Sequence, residues 1–364
     1  MLTLSGRNSC ESLTFDVLFS VLFKINKTKS KYDKFLYSYI MILRIVKKFF
    51  ILISLFSLTF MAIILYNQES IVHPQRRNLQ AYHYEWLTHS SQHSMKIIKD
   101  ENYKDILIVK RDIGHSLSKR SQKILGELQR HGYNEKSLTQ GGTIVMFHGK
   151  NGRKEDLLPV AERYVTAGFT VVLVDLPAHG ESLQGSTNYG SDFDYRRLLS
   201  MMEKHVDTVN QPIYFWGMSL GGRYAITTLH KYAKEHLIQP KALILVSTFD
   251  NLSSILEEKS SNLFGKFMGN LLYRSLAYSL NFFYEFDPQK IESVSLAKNI
   301  MVPIFMLHGK EDRLIDYRHG EKLFEAFPNA KKVLHLDKNG NHHNILVTDY
   351  PFYLESILFL LNEG

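Results

Sequence analysis

The sequence predicts an α/β protein, a mostly parallel sheet flanked by helices. Three observations predict it. From Thr143 onward, short apolar runs alternate regularly with helical patterns. The runs are continuously apolar rather than alternating, as strands covered on both faces are. One of them, Ile213-Tyr214-Phe215-Trp216, leads directly into Gly217-Met218-Ser219-Leu220-Gly221, with a helical pattern behind it. That is a strand, a sharp turn and a helix, the context in which a G-x-S-x-G serine stands proud of a sheet.

Taken in order, the chain opens with a basic, poorly patterned stretch. Residues 1–66 hold nine Lys/Arg against three Asp/Glu, leaving 35 against 33 in the rest, so the formal charge of +8 belongs mainly to the N-terminus. The body therefore gives no reason to expect nucleic-acid binding. Residues 49–66 carry no charge. As a helix they reach about 27 Å, close to the hydrocarbon thickness of a bilayer. Arg44, Lys47 and Lys48 precede them, which predicts an uncleaved single-pass anchor with residues 1–48 cytoplasmic and the body on the far side, periplasmic in a Gram-negative cell. A cleaved signal peptide is the competing reading, but Leu65-Tyr66-Asn67-Gln68 makes a poor small-residue cleavage site. Met41 opens a stretch that makes a compact anchor by itself, and translation starting there would leave residues 1–40 untranslated.

Residues 67–92 read as a polar stem and 93–364 as the globular domain. Runs at 95–99 and 106–110 form a hairpin around a polar turn. Residues 116–131, with sparse apolar positions at Ile124, Leu125 and Leu128, read as a surface helix. Strands follow at 143–147, 170–174, 213–216, 242–246, 303–307 and 332–336, with helices at 154–167, 193–206, 220–235, 317–327 and 352–362. Residues 250–300 break the rhythm with a bulky apolar insertion that includes Leu263, Phe264, Phe267, Leu271, Phe282 and Phe283.

The single cysteine, Cys10, leaves the body without a disulfide framework, a thiolate metal site or a cysteine nucleophile. No His/Cys/Asp clustering calls for a metal or an organic cofactor.

In an open parallel sheet, function collects at the carboxyl ends of the strands. The first such end reads His148-Gly149-Lys150-Asn151-Gly152, a turn that can aim the Lys150 amide at an oxyanion beside the Leu220 amide at the start of the helix. The second holds His179, read as a loop-shaping histidine. The fifth gives His308-Gly309-Lys310-Glu311-Asp312, with Asp312 preferred over Glu311 and Asp316 because it sits where the loop turns back over the sheet. Beyond the last strand come His342 and His343. The order serine, acid, histidine is that of a nucleophile-elbow hydrolase. The residues alone leave the choice between the two histidines open.

These segments resemble the α/β-hydrolase superfamily: HGKNG at 148–152, DLPAHGES at 175–182, GMSLGG at 217–222, HGKED at 308–312 and NHHN at 341–344. The first two resemble the branch of monoglyceride lipases and serine-aminopeptidase-like hydrolases, and an anchor ahead of the domain resembles its membrane-bound members. The resemblance implies the α/β-hydrolase fold, with a short helical cap at 250–300 between strands six and seven. It implies Ser219 as nucleophile, Asp312 as acid and His343 as base, since members often follow the base with Asn, here Asn344. His342 stands where members usually have glycine and remains the alternative base. Ala178 also stands where members usually have glycine. The expected activity is cleavage of a carboxylic ester, monoacylglycerol-like or another lipid, through an acyl-enzyme and without a cofactor. An amidase or peptidase using the same residues, or a non-catalytic hydrolase fold that only binds, are the alternatives.

Overall fold

The computed structural model describes residues 10–134, 138, 141–190, 195–207, 210–235, 240–348 and 350–363. The chain divides into two compact units at Ile63/Ile64. Among the described residues the first is a single helix, the larger part of α1 (Cys10–Val72), and α1 holds a window apolar enough to cross a membrane.

The second unit is built on an eight-stranded sheet of order β1-β2-β4-β3-β5-β6-β7-β8. Its strands are β1 (Met95–Lys99), β2 (Ile106–Arg111), β3 (Thr143–Phe147), β4 (Thr170–Val174), β5 (Ile213–Met218), β6 (Ala242–Val246), β7 (Ile304–Gly309) and β8 (Lys332–Asp337). β1 and β2 form the antiparallel hairpin at one edge, and all pairs from β4 to β8 are parallel. β3, β5 and β6 have buried side chains along nearly their whole length, which is why they read as unbroken apolar runs.

Helices cover both faces: α2 (Ala81–Thr88), α3 (Lys119–Arg130), α4 (Leu158–Thr166), α5 (Tyr195–His205), α6 (Leu220–Glu235), α7 (Leu252–Tyr284), α8 (Ser293–Ala297), α9 (Tyr317–Ala326), α10 (Ile345–Thr348) and α11 (Tyr350–Glu363). The amphipathic α3 buries Ile124, Leu125 and Leu128 against α4 and α11. Tyr164, Tyr214, Phe352 and Tyr353 fill the layer beneath.

Two segments show detail that the sequence alone does not. The 67–92 stem is tied into the second unit. Helix α1 continues to Val72, with Ile64, Gln68, Ile71 and Val72 buried. Arg76 then donates to the carbonyls of His179, Gly180, Ser182 and Gln184. His83 is buried 2.7 Å from Asp156, and Trp86 joins the main core. The cap is helical, as the resemblance implies, and it is bent back on itself. Helix α7 is broken at Gly265 (φ 75°, ψ 165°). A Cβ on Gly269 would stand 2.4 Å from Ser261 Cα, and Asn270 donates to Glu257 at 3.2 Å. The second arm therefore folds back on the first as a helical hairpin.

Candidate active site

Ser219 occupies the turn between β5 and α6 with φ 54°, in the left-handed region that a non-glycine residue rarely adopts. The turn is held by the bond from the Ser219 amide to Val246 O, 2.8 Å. Glycine is required on either side. A Cβ on Gly217 would lie 2.3 Å from Gly221 O, and one on Gly221 would lie 2.1 Å from Phe147 O. Backbone strain at a reactive serine and glycine at its flanks thus have one cause: the helix starts in contact with the neighbouring strand.

The β7–α9 and β8–α10 loops complete the site. They are stitched together by Lys310 N to Asp337 O (2.8 Å) and Glu311 N to Gly340 O (3.0 Å). Gly309 permits this approach, since a Cβ there would meet Gly340 O at 2.1 Å. Asp312 Oδ1 accepts from the amides of Leu314 and Ile315, each at 2.9 Å. Asp312 Oδ2 lies 2.7 Å from His342 Nδ1, and His342 Nε2 lies 3.0 Å from Ser219 Oγ. All three side chains are buried. Burial opposes the Asp312 charge, but the neighbouring His308 imidazole, 3.6 Å away with its Nε2 bonded to Ile315 O, and the bond from His342 outweigh it and hold the carboxyl well below the usual carboxylate range.

The structure thus brings Ser219 and Asp312 together as expected but corrects the histidine: His342, not His343, bridges them. His343 is exposed. Asn341 Oδ1 caps the turn by accepting from the amides of His343 (2.9 Å) and Asn344 (3.1 Å). Fully buried Ile345 sets its phase. His342, three residues earlier, falls on the same inward side and His343 points away.

Of the expected oxyanion donors, Leu220 is the first residue of α6, where helical amides have no partner within the helix. Lys150 is on the β3 loop, which passes against the serine: a Cβ on Gly149 would touch Ser219 Cβ at 3.5 Å. His148 shapes that loop through Gly149 O (2.8 Å) and Leu176 N (3.2 Å). His179 is buried against Pro177 O and His148, and burial pushes its imidazole down to about 3. It packs the loop and has no contact with Ser219. Beneath lies a buried ion cluster, in which Lys154 bonds Asp175 (2.8 Å) and Asp175 also accepts from the amides of Lys154 and Glu181.

Three contributors were not singled out from sequence. His308 supports Asp312 from 3.6 Å, and its spacing of four residues from Asp312 was a visible cue. Arg76 clamps the 179–184 loop from outside the domain core, with no local motif to mark it. Lys259, on the cap, lies near enough for its charge to act on Lys150 and to feel Asp312. Loss of water, reinforced by Lys259, pushes the Lys150 ammonium down to about 8. Desolvation lowers Lys259 too, against the opposing pull of Asp312, although Lys259 stays exposed. A cleft of about 610 Å³ opens beside His342, lined by Glu311, Arg313, Leu314, Asn339, Asn341 and His343. Among the described residues no group of acidic, histidine or cysteine side chains is arranged to hold a metal.

A serine on a strand–helix elbow, relayed through histidine to a carboxylate at neighbouring strand ends, defines the α/β-hydrolase class. The chain belongs to the serine aminopeptidase S33 family (Hydrolase_4), which matches residues 139–293 and 277–347, more than half of its length. It is 27% identical over 209 residues to the lysophosphatidylserine lipase ABHD12 of Xenopus tropicalis, covering 55% of this chain and 50% of that one. It is 24% identical over 200 residues to the uncharacterized protein YfhR of Escherichia coli (strain K12), covering 55% of this chain and 62% of that one. The chain thus spans less than two thirds of the length of these relatives. In three dimensions it is similar to the Pyrococcus furiosus esterase Pf2001, with TM-score 0.54 and 17% identity over 80% of this chain and 99% of that one. That likeness is one of fold.

Proposed function

We propose that the protein is a membrane-anchored serine hydrolase that cleaves a carboxylic ester of lipid type. The observation that carries this reading is the relay Ser219 Oγ–His342 Nε2 at 3.0 Å and His342 Nδ1–Asp312 Oδ2 at 2.7 Å. His342 takes the hydroxyl proton as Ser219 attacks the ester carbonyl. Asp312 holds the imidazole tautomer and stabilises its cation. The Lys150 and Leu220 amides receive the oxyanion, each worth about 3 kcal/mol of barrier. His342 then gives its proton to the departing alcohol, and water releases the acid from Ser219 by the same steps in reverse. A fold serving only to bind has no use for this relay.

The substrate reading rests on charge. The Lys150 ammonium on the β3 loop is pushed down by loss of water and by the nearby Lys259 of the cap, which itself stays exposed. An ester whose head group bears a phosphate or carboxylate offers these two cations a counter-charge. The relatives named as lysophosphatidylserine lipases act on a substrate of that kind, which supports the same choice here. Helix α1 supplies the anchor in this reading, with residues 1–48 cytoplasmic and the catalytic unit on the other side.

The test is fluorophosphonate labelling of the full chain, followed by a panel of a short neutral ester, a monoacylglycerol, a lysophosphatidylserine and an aryl amide. Labelling of wild type and its loss in Ser219→Ala are expected, with the anionic lysolipid turned over best. Folded wild-type protein that takes no label would falsify the hydrolase reading. Preferential cleavage of the amide would move the protein to the peptidase side of its family.

A further inference from the structure

His319 joins the cap to the rest of the catalytic unit. It is the third residue of α9 and is buried. Its Nδ1 meets Asp250, just before α7, and its Nε2 lies 3.1 Å from Glu258 on the first arm of the cap. An ionised carboxylate only accepts hydrogen bonds, and a neutral imidazole carries one N–H. Both ring nitrogens face carboxylate oxygens, so both bonds form only when the ring is doubly protonated. Asp316, at the start of α9, adds a third carboxylate within electrostatic reach. Lys322 lies 3.8 Å from Asp250, and Arg318 is bonded to Asp316 and acts on Glu258. These cations offset part of the field, as does the positive end of α9 itself. Helix α8, packed on α9, presents no charged side chain. The carboxylates prevail and hold the imidazole above its ordinary range.

The first arm has little else to hold it. Among the described residues, the contact of Glu258 with His319 is the one side-chain hydrogen bond or ion pair between residues 252–264 and the unit outside the cap. Leu252 and Ile255 are buried at the base of the arm, but beyond them it buries only Ser260, against Gly269 of the second arm. Glu258 is half exposed. It opens on a cleft of about 860 Å³ whose wall also carries Lys266, Arg274 and Lys322. Its carboxylate therefore has a second set of partners within the cap and α9.

We propose that His319 is a proton-operated latch on the cap: as an imidazolium it ties Glu258 and the first arm to α9, and on losing its proton it releases them. A neutral ring keeps its N–H for buried Asp250 and leaves a bare Nε2 facing Glu258. Two acceptors then oppose each other. The half-exposed Glu258 is the one that leaves, because its carboxylate can turn to water and to the cations of the cleft, whereas Asp250 cannot. Release comes as pH rises through the folded value of His319, which lies above the ordinary value of about 6.5. Lys259, the next residue, travels with the arm. Release thus also withdraws the cap cation that acts on Lys150 and feels Asp312. The inference rests on neither the hydrolase reading nor the anchor reading.

The experiment uses the full chain with Cys10→Ser in lipid nanodiscs that hold one copy each. Nitroxide labels are placed on two introduced cysteines, Leu263→Cys at the exposed cap tip and Val347→Cys at an exposed position of α10. Pulsed dipolar spectroscopy measures their separation at about pH 6 and about pH 9, either side of the release. With Glu258 and His319 in place, one narrow distance is expected at the lower pH. A broad second population should appear at the higher pH and vanish on return. Glu258→Gln should keep the narrow distance at both, because a carboxamide can donate to the bare Nε2 and accept from the protonated one. Glu258→Ala should show the broad population at both, with circular dichroism confirming that it is folded. Equal distributions at the two pH values with Glu258 in place would overturn the proposal. So would a pH response in Glu258→Ala or in Glu258→Gln that matches the one seen with Glu258.

Discussion

His342 Nε2 stands 3.0 Å from Ser219 Oγ, and on this contact the proposed reaction assigns the base to His342 and not to the adjacent His343. The neighbouring imidazole of His343 is exposed and contributes its backbone amide to the Asn341 cap. Replacing His342 by Ala is expected to lower kcat by about 10⁴-fold or more, as loss of a catalytic base does in other serine hydrolases. Replacing His343 by Ala should leave kcat near wild type. Steady-state hydrolysis of a short soluble ester, with circular dichroism to confirm folding, checks both. Loss of activity in His343→Ala with His342→Ala active would reverse the assignment.

Much of this site is legible in the sequence because it depends on local geometry. The elbow announces itself through Gly217 and Gly221, where a side chain would collide with backbone. Asp312 is readable because its loop begins at a strand end. The histidine is not readable by motif, since adjacent residues in a turn face opposite ways and the residue that sets the phase is the buried Ile345. The cap's hairpin was hidden for a related reason. Residues 252–284 carry apolar groups on both arms, and only Gly265 marks where the chain reverses. The contacts of Arg76 and Lys259 are tertiary and leave no periodic trace.

His319 on α9 is buried between two carboxylates of the cap base. Its Nδ1 meets Asp250 and its Nε2 lies 3.1 Å from Glu258. Burial disfavours its charge, but the two carboxylates prevail and raise its pKa above the ordinary histidine value. A raised histidine stabilises the fold fully below its unfolded pKa of about 6.5, and that contribution is lost as pH rises through the higher folded value. Asp250, lowered by the same contact against the cost of burial, sets the acid side, where stability falls as it becomes protonated. His319→Gln is therefore expected to cost about 2 kcal/mol near pH 6 and progressively less in alkaline buffer. Thermal unfolding of both proteins from pH 5 to 9 measures the gap, and a gap constant across that range would show that the histidine acts only by packing.

Ala178 has φ 63° in the loop that Arg76 clamps. A left-handed conformation costs a non-glycine residue about 1 kcal/mol. Ala178→Gly removes that strain, partly offset by the greater freedom of the unfolded glycine chain. The net expectation is a gain of about 0.5 kcal/mol with unchanged kcat, seen as a rise in Tm of about 1–2 °C. A fall in Tm would mean that the buried methyl packs better than its backbone suffers.

Lys150 carries the last prediction, which concerns substrate charge. Its ammonium, pushed down to about 8 by desolvation and by Lys259, loses its proton within the working range of most assays. An anionic head group bound beside it raises that pKa again, so binding above pH 8 takes up a proton. KM for a lysophosphatidylserine should then climb by up to about tenfold per pH unit above 8, while KM for a neutral monoacylglycerol stays level. Lys150→Met, which keeps the backbone amide, should abolish this alkaline rise and the preference for the anionic ester. It should leave hydrolysis of the neutral ester largely intact, because the proposed oxyanion donor is the amide and not the side chain. Equal pH profiles for the two esters in wild type would detach the lysine pair from substrate choice and leave the serine relay unaffected.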